Sequence, residues 1–414
     1  MVLVSQMAPI SAPFFHHVEL EADAHRLLAS TLSQALGLQP VARNVVNGRE
    51  SIYLQSGQAV VICSASRRDA WSNSSSDGGG EGERSVRVGS LGFQVDDLNA
   101  AATHLAARLH SEGFDPPVIE PDGTLKICLP SHLGPIELQF LRSKMVPSDI
   151  LPSGTPCPAF WHDSMGGAPQ IAPTPVSSVI GIDHVAINVG DVPRVCSALR
   201  TLTEWTPFRK FTEEALLRPL TALTLGSATA EGLLTVVQPT TADSIFQKTL
   251  EANGGASVHH IALRCRNLLN FAGMLEAKGV WRTMPPPDEE YYRSIQSLAR
   301  NFMDDHSFEM MKRYGMLLDF EGDCAIIQVF LPYIDIKPGV FFELIERLHR
   351  LDDSEQIAEP LPLPGCGGFG DLNVRHLYDC LVQGVLQAPL ICREQGLETE
   401  PERMNAIAHL FTTA

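Results

Sequence analysis

Basic residues are the scarce class in this sequence of 414 residues. Lysine and arginine total 31, against 48 aspartates and glutamates, so the formal net charge is −17. Such a balance argues against nucleic acid and against an anionic membrane surface as partners. No apolar run approaches the length of a membrane span either. These shortages favour a soluble protein.

Paired cysteine motifs are also absent, and no targeting signal is expected. The nine cysteines are scattered singly, without a CxxC pair, which predicts reduced thiols in the cytoplasm. No basic residue precedes Arg26, so we expect neither a secretory signal nor an arginine-rich transit peptide. With 44% hydrophobic residues, the chain is long enough for two domains that each bury a core.

An internal repeat divides the chain into two similar halves. FFHHVELEAD (14–23), for example, parallels GIDHVAINVGD (181–191). The repeat aligns residues of the two halves in three pairs, which are His17 with His184, Ser90 with His260, and Glu137 with Glu343. The separation is 167 and 170 residues for the first two pairs and 206 for the third, because the second half contains an extra segment around PPPDEEYYRSIQSLARNF.

Each half divides again into two units of strand, helix and three strands. Alternating strand patterns and amphipathic helix patterns indicate this order, as in the helix that follows FHHVEL and stops at Gly37. The sequence therefore predicts an α+β fold in which four βαβββ modules pair into two cup-shaped sheets. The expected parts are an N-terminal pair without metal (1–148), a linker rich in Pro, Ser and Gly (149–178), a C-terminal catalytic pair with a lid helix (179–390), and a tail (391–414). SNSSSDGGGEGE (72–83) is predicted to be a disordered loop.

Three strands of the second half each carry one candidate metal ligand: His184, His260 and Glu343. Two histidines and one carboxylate can occupy one face of a metal ion and leave open positions, an arrangement that suits Fe(II), O2 and a chelating organic substrate. The alternative is ordinary, since a histidine on an apolar strand is usually a structural residue. The first half has His, Ser and Glu at the aligned positions, so we expect metal in the second half only.

His259 is adjacent to one of these ligands. Neighbouring residues of a regular strand point to opposite faces, so His259 and His260 are not expected to coordinate together. His260 is the better ligand candidate because, like His184, it precedes a V/I-A pair. The sequence leaves His259 either a hydrogen-bond donor in the substrate pocket or a buried imidazole.

The second half resembles the family of 4-hydroxyphenylpyruvate dioxygenase and hydroxymandelate synthase, in the vicinal-oxygen-chelate superfamily. The matching pieces, in family order from about residue 180 to 385, are DHVAINV, HIAL, PPPDEEYY, IIQVF, FFELIER and GCGGFGDLN. The resemblance implies Fe(II) as cofactor, O2 as co-substrate and a small-molecule 2-oxo acid as substrate. It implies the following residues and roles: His184, His260 and Glu343 as iron ligands, Gln328 beside the metal, Gln247 in the pocket, Asn373 in the lid motif, and Phe330 and Phe369 as the aromatic wall and lid.

The sequence departs from the family pattern at several pocket positions. The lid motif, usually FGxGNF, reads FGDLNV, so Val374 stands where an aromatic residue is usual. Thr221 and Gln238 align with positions that are usually Ser and Asn, and His259 replaces a usual Gln. A small aliphatic lid residue is typical of the hydroxymandelate branch, so Val374 favours side-chain hydroxylation. Homogentisate formation and another 2-oxo acid substrate remain alternatives.

Other functional classes remain open. An extradiol catechol dioxygenase would share the triad, but not the GCGGFG lid or the PPPDEEYY insertion. A glyoxalase-type lyase or isomerase would draw ligands from both copies of the repeat. A non-catalytic binding protein with a drifted pocket is a further alternative, although loss of function should have degraded the triad first. The sequence leaves a homo-oligomer open.

Overall fold

We analysed a computed structural model of the chain. The structure describes residues 14–46, 48–66, 86–95, 97–112, 117–119, 125–128, 137–142, 178–203, 206–211, 220–226, 233–242, 244–253, 255–321, 324–334, 340–350, 373 and 376–377. Most of the expected linker, the 72–83 segment and the C-terminal tail lie outside these residues, as do the lid residues Phe369 and Val374.

In the residues that the structure describes, the first half contains eight strands and two helices. In chain order they are β1 (Phe14–Ala22), α1 (His25–Leu36), β2 (Gln39–Val46), β3 (Arg49–Ser56), β4 (Ala59–Ala65), β5 (Val86–Val95), α2 (Leu98–Glu112), β6 (Val118–Ile119), β7 (Leu125–Cys128) and β8 (Glu137–Arg142). Helix α1 ends where the sequence predicted, because Gly37 adopts the left-handed conformation (φ 67°) that closes a helix.

The second half repeats this order with additional helices. Its elements are β9 (Val179–Asn188), α3 (Val192–Thr203), β10 (Thr206–Phe211), β11 (Leu220–Gly226), β12 (Leu233–Pro239), α4 (Ile245–Ala252), β13 (Ser257–Cys265), α5 (Leu268–Ala277), α6 (Glu289–Ala299), α7 (Asp305–Arg313), β14 (Leu317–Glu321), β15 (Cys324–Tyr333) and β16 (Phe341–His349). Aspartates begin α6 and α7: Asp288 accepts from the Tyr291 N–H and Asp304 from the Ser307 N–H.

The strands form two sheets of eight with the same topology. The first has the order β2-β3-β4-β1-β5-β8-β7-β6, and the second has the order β10-β11-β12-β9-β13-β16-β15-β14. In each sheet an antiparallel pair joins the two modules at the centre, β1 with β5 and β9 with β13. The prediction of four βαβββ modules in two sheets is confirmed. No helix in the described part of the chain is long and apolar enough to cross a membrane.

The two sheets meet where β9 begins. The N–H of Gln58 donates to the Ile180 carbonyl oxygen at 2.8 Å, and the Ser56 hydroxyl donates to the Val179 carbonyl oxygen at 2.5 Å. Gly57 lies between these contacts with φ 54°, and a Cβ atom there would lie 2.7 Å from the Ile180 carbonyl oxygen. Glycine is therefore required at this position, both for its backbone conformation and for the close approach of β9.

Two expectations from the sequence need correction. The third pair of the repeat is misaligned, because β13 and β16 pair Ala262 with Glu343, whereas β5 and β8 pair Gly92 with Gln139. The structural counterpart of Glu343 is therefore Gln139, two residues beyond Glu137. The expectation of reduced thiols throughout is also wrong, because Cys324 is disulfide-bonded.

Candidate metal centre

Three adjacent central strands of the second sheet bring His184, His260 and Glu343 together. Register explains the convergence, because β9 pairs His184 with Ala262 and β16 pairs Glu343 with the same Ala262. His184 Nε2 lies 3.2 Å from His260 Nε2 and 3.7 Å from Glu343 Oε2, and His260 Nε2 lies 3.5 Å from Glu343 Oε2. Among the described residues, this is the one group of three or more such side chains close enough to hold a metal ion.

The size of this triangle fits a transition metal. The three distances place a point about 2.0 Å from all three atoms, at the centre of the triangle, which is a normal metal–ligand bond length. A metal at that point would have three ligands from the protein, which leaves further coordination positions for a substrate. Two imidazoles and a carboxylate in this arrangement are the donor set of non-haem Fe(II) oxygenases.

The electrostatics of the triad also favour a bound cation. Glu343 is 1% exposed, and burial raises the pKa of its carboxyl to about 7, although His184 and a hydrogen bond from Gln328 oppose the rise. Burial lowers the pKa of His260 well below its usual value, and the neighbouring histidines act in the same direction. A neutral His260 keeps its lone pair for a metal. A cation at the centre of the triangle would stabilise the ionised form of Glu343.

The buried carboxylate of Asp183 contacts the ring nitrogen of His184 that does not belong to the triangle. His184 Nδ1 lies 3.1 Å from Asp183 Oδ1. Burial alone would raise the pKa of Asp183, but Arg347 and Arg264, with the bond to His184, hold that pKa well below its usual range. Arg347 Nη2 and Arg264 Nε donate to the carboxylate at 2.9 Å and 3.0 Å. A metal-ligating histidine that donates its other N–H to a carboxylate is a recurring arrangement that fixes the ring.

This support depends on an irregularity of β9. Strand β13 pairs Ala262 with His184 and the next residue, Leu263, with Ile182, so Asp183 is the extra residue of a β-bulge. A bulge changes the direction of a side chain and is common beside active sites. Asp183 and both arginines were missed by the sequence reasoning. The only signal was the acidic residue directly before His184, which a regular strand would point to the opposite face.

His260, like His184, directly follows the extra residue of a β-bulge. Strand β9 pairs Ile187 with Val258 and the next residue along, Ala186, with His260, which makes His259 the extra residue of a second bulge. His259 Nδ1 lies 2.9 Å from His260 Nδ1. The strand is not regular here, so the two histidines lie side by side and not on opposite faces, while His260 alone belongs to the donor group. His259 is 4% exposed, and burial lowers its pKa to about 4.

A chain of hydrogen bonds extends from the carboxylate ligand to the predicted lid. Gln328 donates from Nε2 to Glu343 Oε1 at 2.6 Å, and Asn373 donates from Nδ2 to Gln328 Oε1 at 2.5 Å. The Tyr291 hydroxyl in turn donates to Asn373 Oδ1 at 3.3 Å and accepts from the Leu318 N–H at 2.8 Å. Gln328 and Asn373 are thus placed to orient the candidate ligand Glu343. Their contact with a substrate stays a prediction, and Tyr291 was not foreseen.

Aromatic side chains lie directly beside the triad. The ring of Phe341 is fully buried, with its centroid 5.2 Å from that of His260. Phe330, one of the residues expected to form the pocket wall, packs edge-on against Phe341 at 6.1 Å and is 4% exposed. The position of Phe330 next to Glu343 follows from register, since β15 and β16 pair the two residues.

Two other predicted pocket residues lie farther along the sheet, and a third lies on helix α4. Gln238 Oε1 accepts from the Val192 N–H at 2.8 Å, which satisfies the first turn of α3. Thr221 faces Gln238 across β11 and β12. Gln247 is half-buried on α4, and its amide donates to Glu251 one turn along the helix at 2.8 Å. The described contacts do not join Gln238 or Gln247 to the triad, and their substrate roles stay predictions.

The corresponding region of the first sheet is a hydrogen-bonded polar core. Ser90 stands at the position of His260, and its hydroxyl donates to Glu19 Oε2 at 2.8 Å. Gln139, at the position of Glu343, donates to the Ser90 hydroxyl at 3.0 Å and to Glu137 Oε1 at 2.8 Å. The ring of His17 lies against the backbone of Gly92, in the space that a Cβ atom there would need.

Known proteins resemble this chain at low identity. No protein-family model matches it. A 4-hydroxyphenylpyruvate dioxygenase of Hordeum vulgare is 27% identical over 215 residues, and that match spans about half of the relative's length, 47% of each protein. The 4-hydroxyphenylpyruvate dioxygenase of Plectranthus scutellarioides is 24% identical over 411 residues, covering 92% of this chain and 90% of that protein.

A solved structure shows the same architecture. A mutant of 4-hydroxymandelate synthase from Streptomyces coelicolor superposes with a TM-score of 0.64 at 16% identity, covering 90% of this chain and 98% of that one. At this identity the likeness establishes the fold alone. The chain is therefore similar in sequence to 4-hydroxyphenylpyruvate dioxygenases and shares the fold of the 4-hydroxymandelate synthase structure.

Proposed function

We propose that the protein is a non-haem Fe(II) oxygenase that decarboxylates a 2-oxo acid with O2 and hydroxylates the same molecule. The observation that carries the proposal is the buried triangle of His184, His260 and Glu343, whose donor atoms lie 3.2–3.7 Å apart. The relatives named as dioxygenases support the same reaction class. Within this class we propose an arylpyruvate such as 4-hydroxyphenylpyruvate as substrate.

Bound Fe(II) would supply the activation of O2 that drives decarboxylation and hydroxylation. The residues of the chain would orient the metal ligands and keep water away from the reacting atoms. Gln328 donates to Glu343 Oε1 and so leaves Oε2 directed at the triangle. Phe341 and Phe330 exclude water on one side, where a reactive oxidant would otherwise be lost to solvent or protein. His184 is fixed by Asp183, so the ligand set is preorganised before any substrate binds.

For the product, we propose oxidation of the side chain, which gives 4-hydroxymandelate. One oxygen atom of O2 enters the new carboxylate, the other becomes the benzylic hydroxyl, and CO2 leaves. The basis is the sequence position of Val374, directly after Asn373 in the lid motif, where the family usually has an aromatic residue. A smaller side chain would let the substrate ring settle so that its benzylic carbon lies nearer the oxidant.

Homogentisate is the second candidate product, and the relatives named 4-hydroxyphenylpyruvate dioxygenase support it equally. It is an isomer of 4-hydroxymandelate, so O2 uptake and CO2 release are identical for the two reactions. Only identification of the product separates them. The experiment supplies Fe(II), O2 and a panel of 2-oxo acids, and analyses the products by chromatography.

A matched variant tests the role proposed for Val374. With 4-hydroxyphenylpyruvate, we expect mainly 4-hydroxymandelate from the native protein and a detectable share of homogentisate from Val374→Phe. If Val374 only packs the C-terminal segment onto the domain, the larger ring would instead cost about 1–3 kcal/mol of stability and leave the product unchanged. Homogentisate as the main native product would refute the proposed regiochemistry and leave the reaction class intact.

A further inference from the structure

His259 occupies a position that gives it one specific polar contact. It is the extra residue of the bulge in β13, and its Nδ1 atom lies 2.9 Å from Nδ1 of His260. The other nitrogen of His260, Nε2, belongs to the triangle of donor atoms, 3.2 Å from His184 Nε2. The ring of His260 is therefore used at both nitrogens, by the candidate metal site on one side and by His259 on the other.

The chemistry of imidazole decides which partner donates. A histidine that binds a cation through Nε2 offers the lone pair of that atom, so its single ring proton must be on Nδ1. That Nδ1–H group can donate only to an acceptor. At 2.9 Å the available acceptor is the lone pair of His259 Nδ1, so the proton of the neutral His259 ring is on its Nε2. The contact thus selects one tautomer of each ring.

The other histidine ligand shows the same design with a different acceptor. Asp183, also the extra residue of a bulge, presents Oδ1 to Nδ1 of His184 at 3.1 Å. Each histidine ligand therefore has an acceptor at Nδ1, supplied by the residue directly before it in the sequence. Asp183 is an anion held by two arginines, whereas His259 lies between apolar rings and adds no charge.

We infer that His259 is a positioning residue that accepts a hydrogen bond from Nδ1–H of His260 and thereby holds Nε2 of that ligand toward the metal. The inference rests on the proposed function only in requiring that the triad binds a metal.

The competing account is that His259 is simply a ring in the core. Its centroid lies 5.0 Å from the rings of both Phe246 and Phe341, so an apolar aromatic side chain would fill the same space. The two accounts differ at one atom. Packing needs the ring of His259, whereas positioning needs the acceptor at Nδ1.

Two substitutions separate the ring from the acceptor. His259→Phe keeps a ring between the two phenylalanines and removes the acceptor. His259→Asn loses most of the ring but places its Oδ1 atom close to where His259 Nδ1 lies. Phe246→Leu serves as a packing control, because it removes one aromatic neighbour of His259 without changing a polar atom. The thermal unfolding temperature of each metal-free variant measures the packing contribution separately.

The measurement is the affinity for Co(II), a spectroscopic substitute for Fe(II), with the visible absorption of the bound ion as a second readout. Loss of an outer hydrogen bond to a ligating histidine typically weakens metal affinity about 10–100-fold. We expect a loss of that size and an altered absorption spectrum in His259→Phe, and recovery of most of the affinity in His259→Asn. Phe246→Leu should lower the unfolding temperature and leave Co(II) affinity within about twofold of the native value.

Native affinity in His259→Phe, or an affinity in His259→Asn as weak as that in His259→Phe, would overturn the inference. Either result assigns His259 to packing and leaves the proposed oxygenase standing. If the native protein itself fails to bind Co(II) and Fe(II), the proposed function fails first, and that outcome is recognised before any variant is compared.

Discussion

Replacement of Glu343 by glutamine should have opposite effects on the metal-free and the metal-bound protein. Without metal, the carboxylate is buried, and its pKa is raised from 4.5 to about 7. The folded protein therefore holds this proton more tightly than the unfolded chain does. The stability that comes from this difference is complete below about pH 4.5 and is lost as the pH rises to about 7.

The magnitude follows from the size of the shift. A rise from 4.5 to about 7 is about 2.5 units, and each unit corresponds to about 1.4 kcal/mol. At pH 8 the ionised carboxylate therefore destabilises the metal-free native protein by at most about 3 kcal/mol. The glutamine is neutral, and its carbonyl oxygen can still accept from Gln328, as Oε1 of Glu343 does at 2.6 Å. In EDTA at pH 8, Glu343→Gln should thus be more stable than the native protein.

A bound metal should reverse this order. The native protein gains the free energy of metal binding, which amounts to about 4.1 kcal/mol when the metal is at 1,000 times its dissociation constant and so exceeds the destabilisation of about 3 kcal/mol. Glu343→Gln lacks the anionic ligand and should gain little. Thermal unfolding of both proteins at pH 5 and pH 8, in EDTA and with Co(II), gives the four comparisons. Two results would refute the reasoning. Glu343→Gln could be less stable than the native protein in EDTA at pH 8, or Co(II) could stabilise the variant as much as it stabilises the native protein.

Two further substitutions test the groups behind the ligands. Asp183→Asn removes the anion between Arg264 and Arg347, and a broken buried ion pair typically costs about 3–5 kcal/mol, so urea unfolding in EDTA should show a loss of that order. A loss below about 1 kcal/mol would mean that the arginines find other partners. Asn373→Ala removes the buried hydrogen bond to Gln328 and should cost about 1–3 kcal/mol while lowering turnover with the 2-oxo acid. Unchanged turnover in Asn373→Ala would show that the contact with Gln328 does not contribute to catalysis.

The fold was predictable because the pattern of one strand, one helix and three strands recurs four times in the sequence. Each βαβββ module carries its own alternation and helix pattern, and the agreement among the copies outweighs errors at single boundaries. The stop of α1 at Gly37 was readable for a local reason, since glycine adopts the left-handed conformation at low cost. The candidate ligands were readable because each of the three stands on its own strand, and matching strands of the repeat come together at the centre of one sheet.

What the sequence could not supply was register. Bulges at Asp183 and His259 place these side chains beside the ligands, whereas an alternating pattern directs them away. The same limit misaligned Glu137 with Glu343 by two residues, because both copies contain a glutamate near the right place and only strand pairing identifies Gln139 as the counterpart. Contacts that span distant segments, such as Tyr291 with Asn373, follow from tertiary packing and have no local signal.

The central claim is that the triad His184, His260 and Glu343 supports oxidation of a 2-oxo acid. The most direct measurement is the stoichiometry of O2 consumed and CO2 released by the Fe(II)-loaded native protein with 4-hydroxyphenylpyruvate, beside the Glu343→Gln variant. The account predicts that the native protein releases one CO2 for each O2 consumed. In the variant, O2 consumption and CO2 release should both be almost completely lost. Fe(II)-dependent O2 uptake that releases no CO2, or that persists at the native rate in Glu343→Gln, would contradict it.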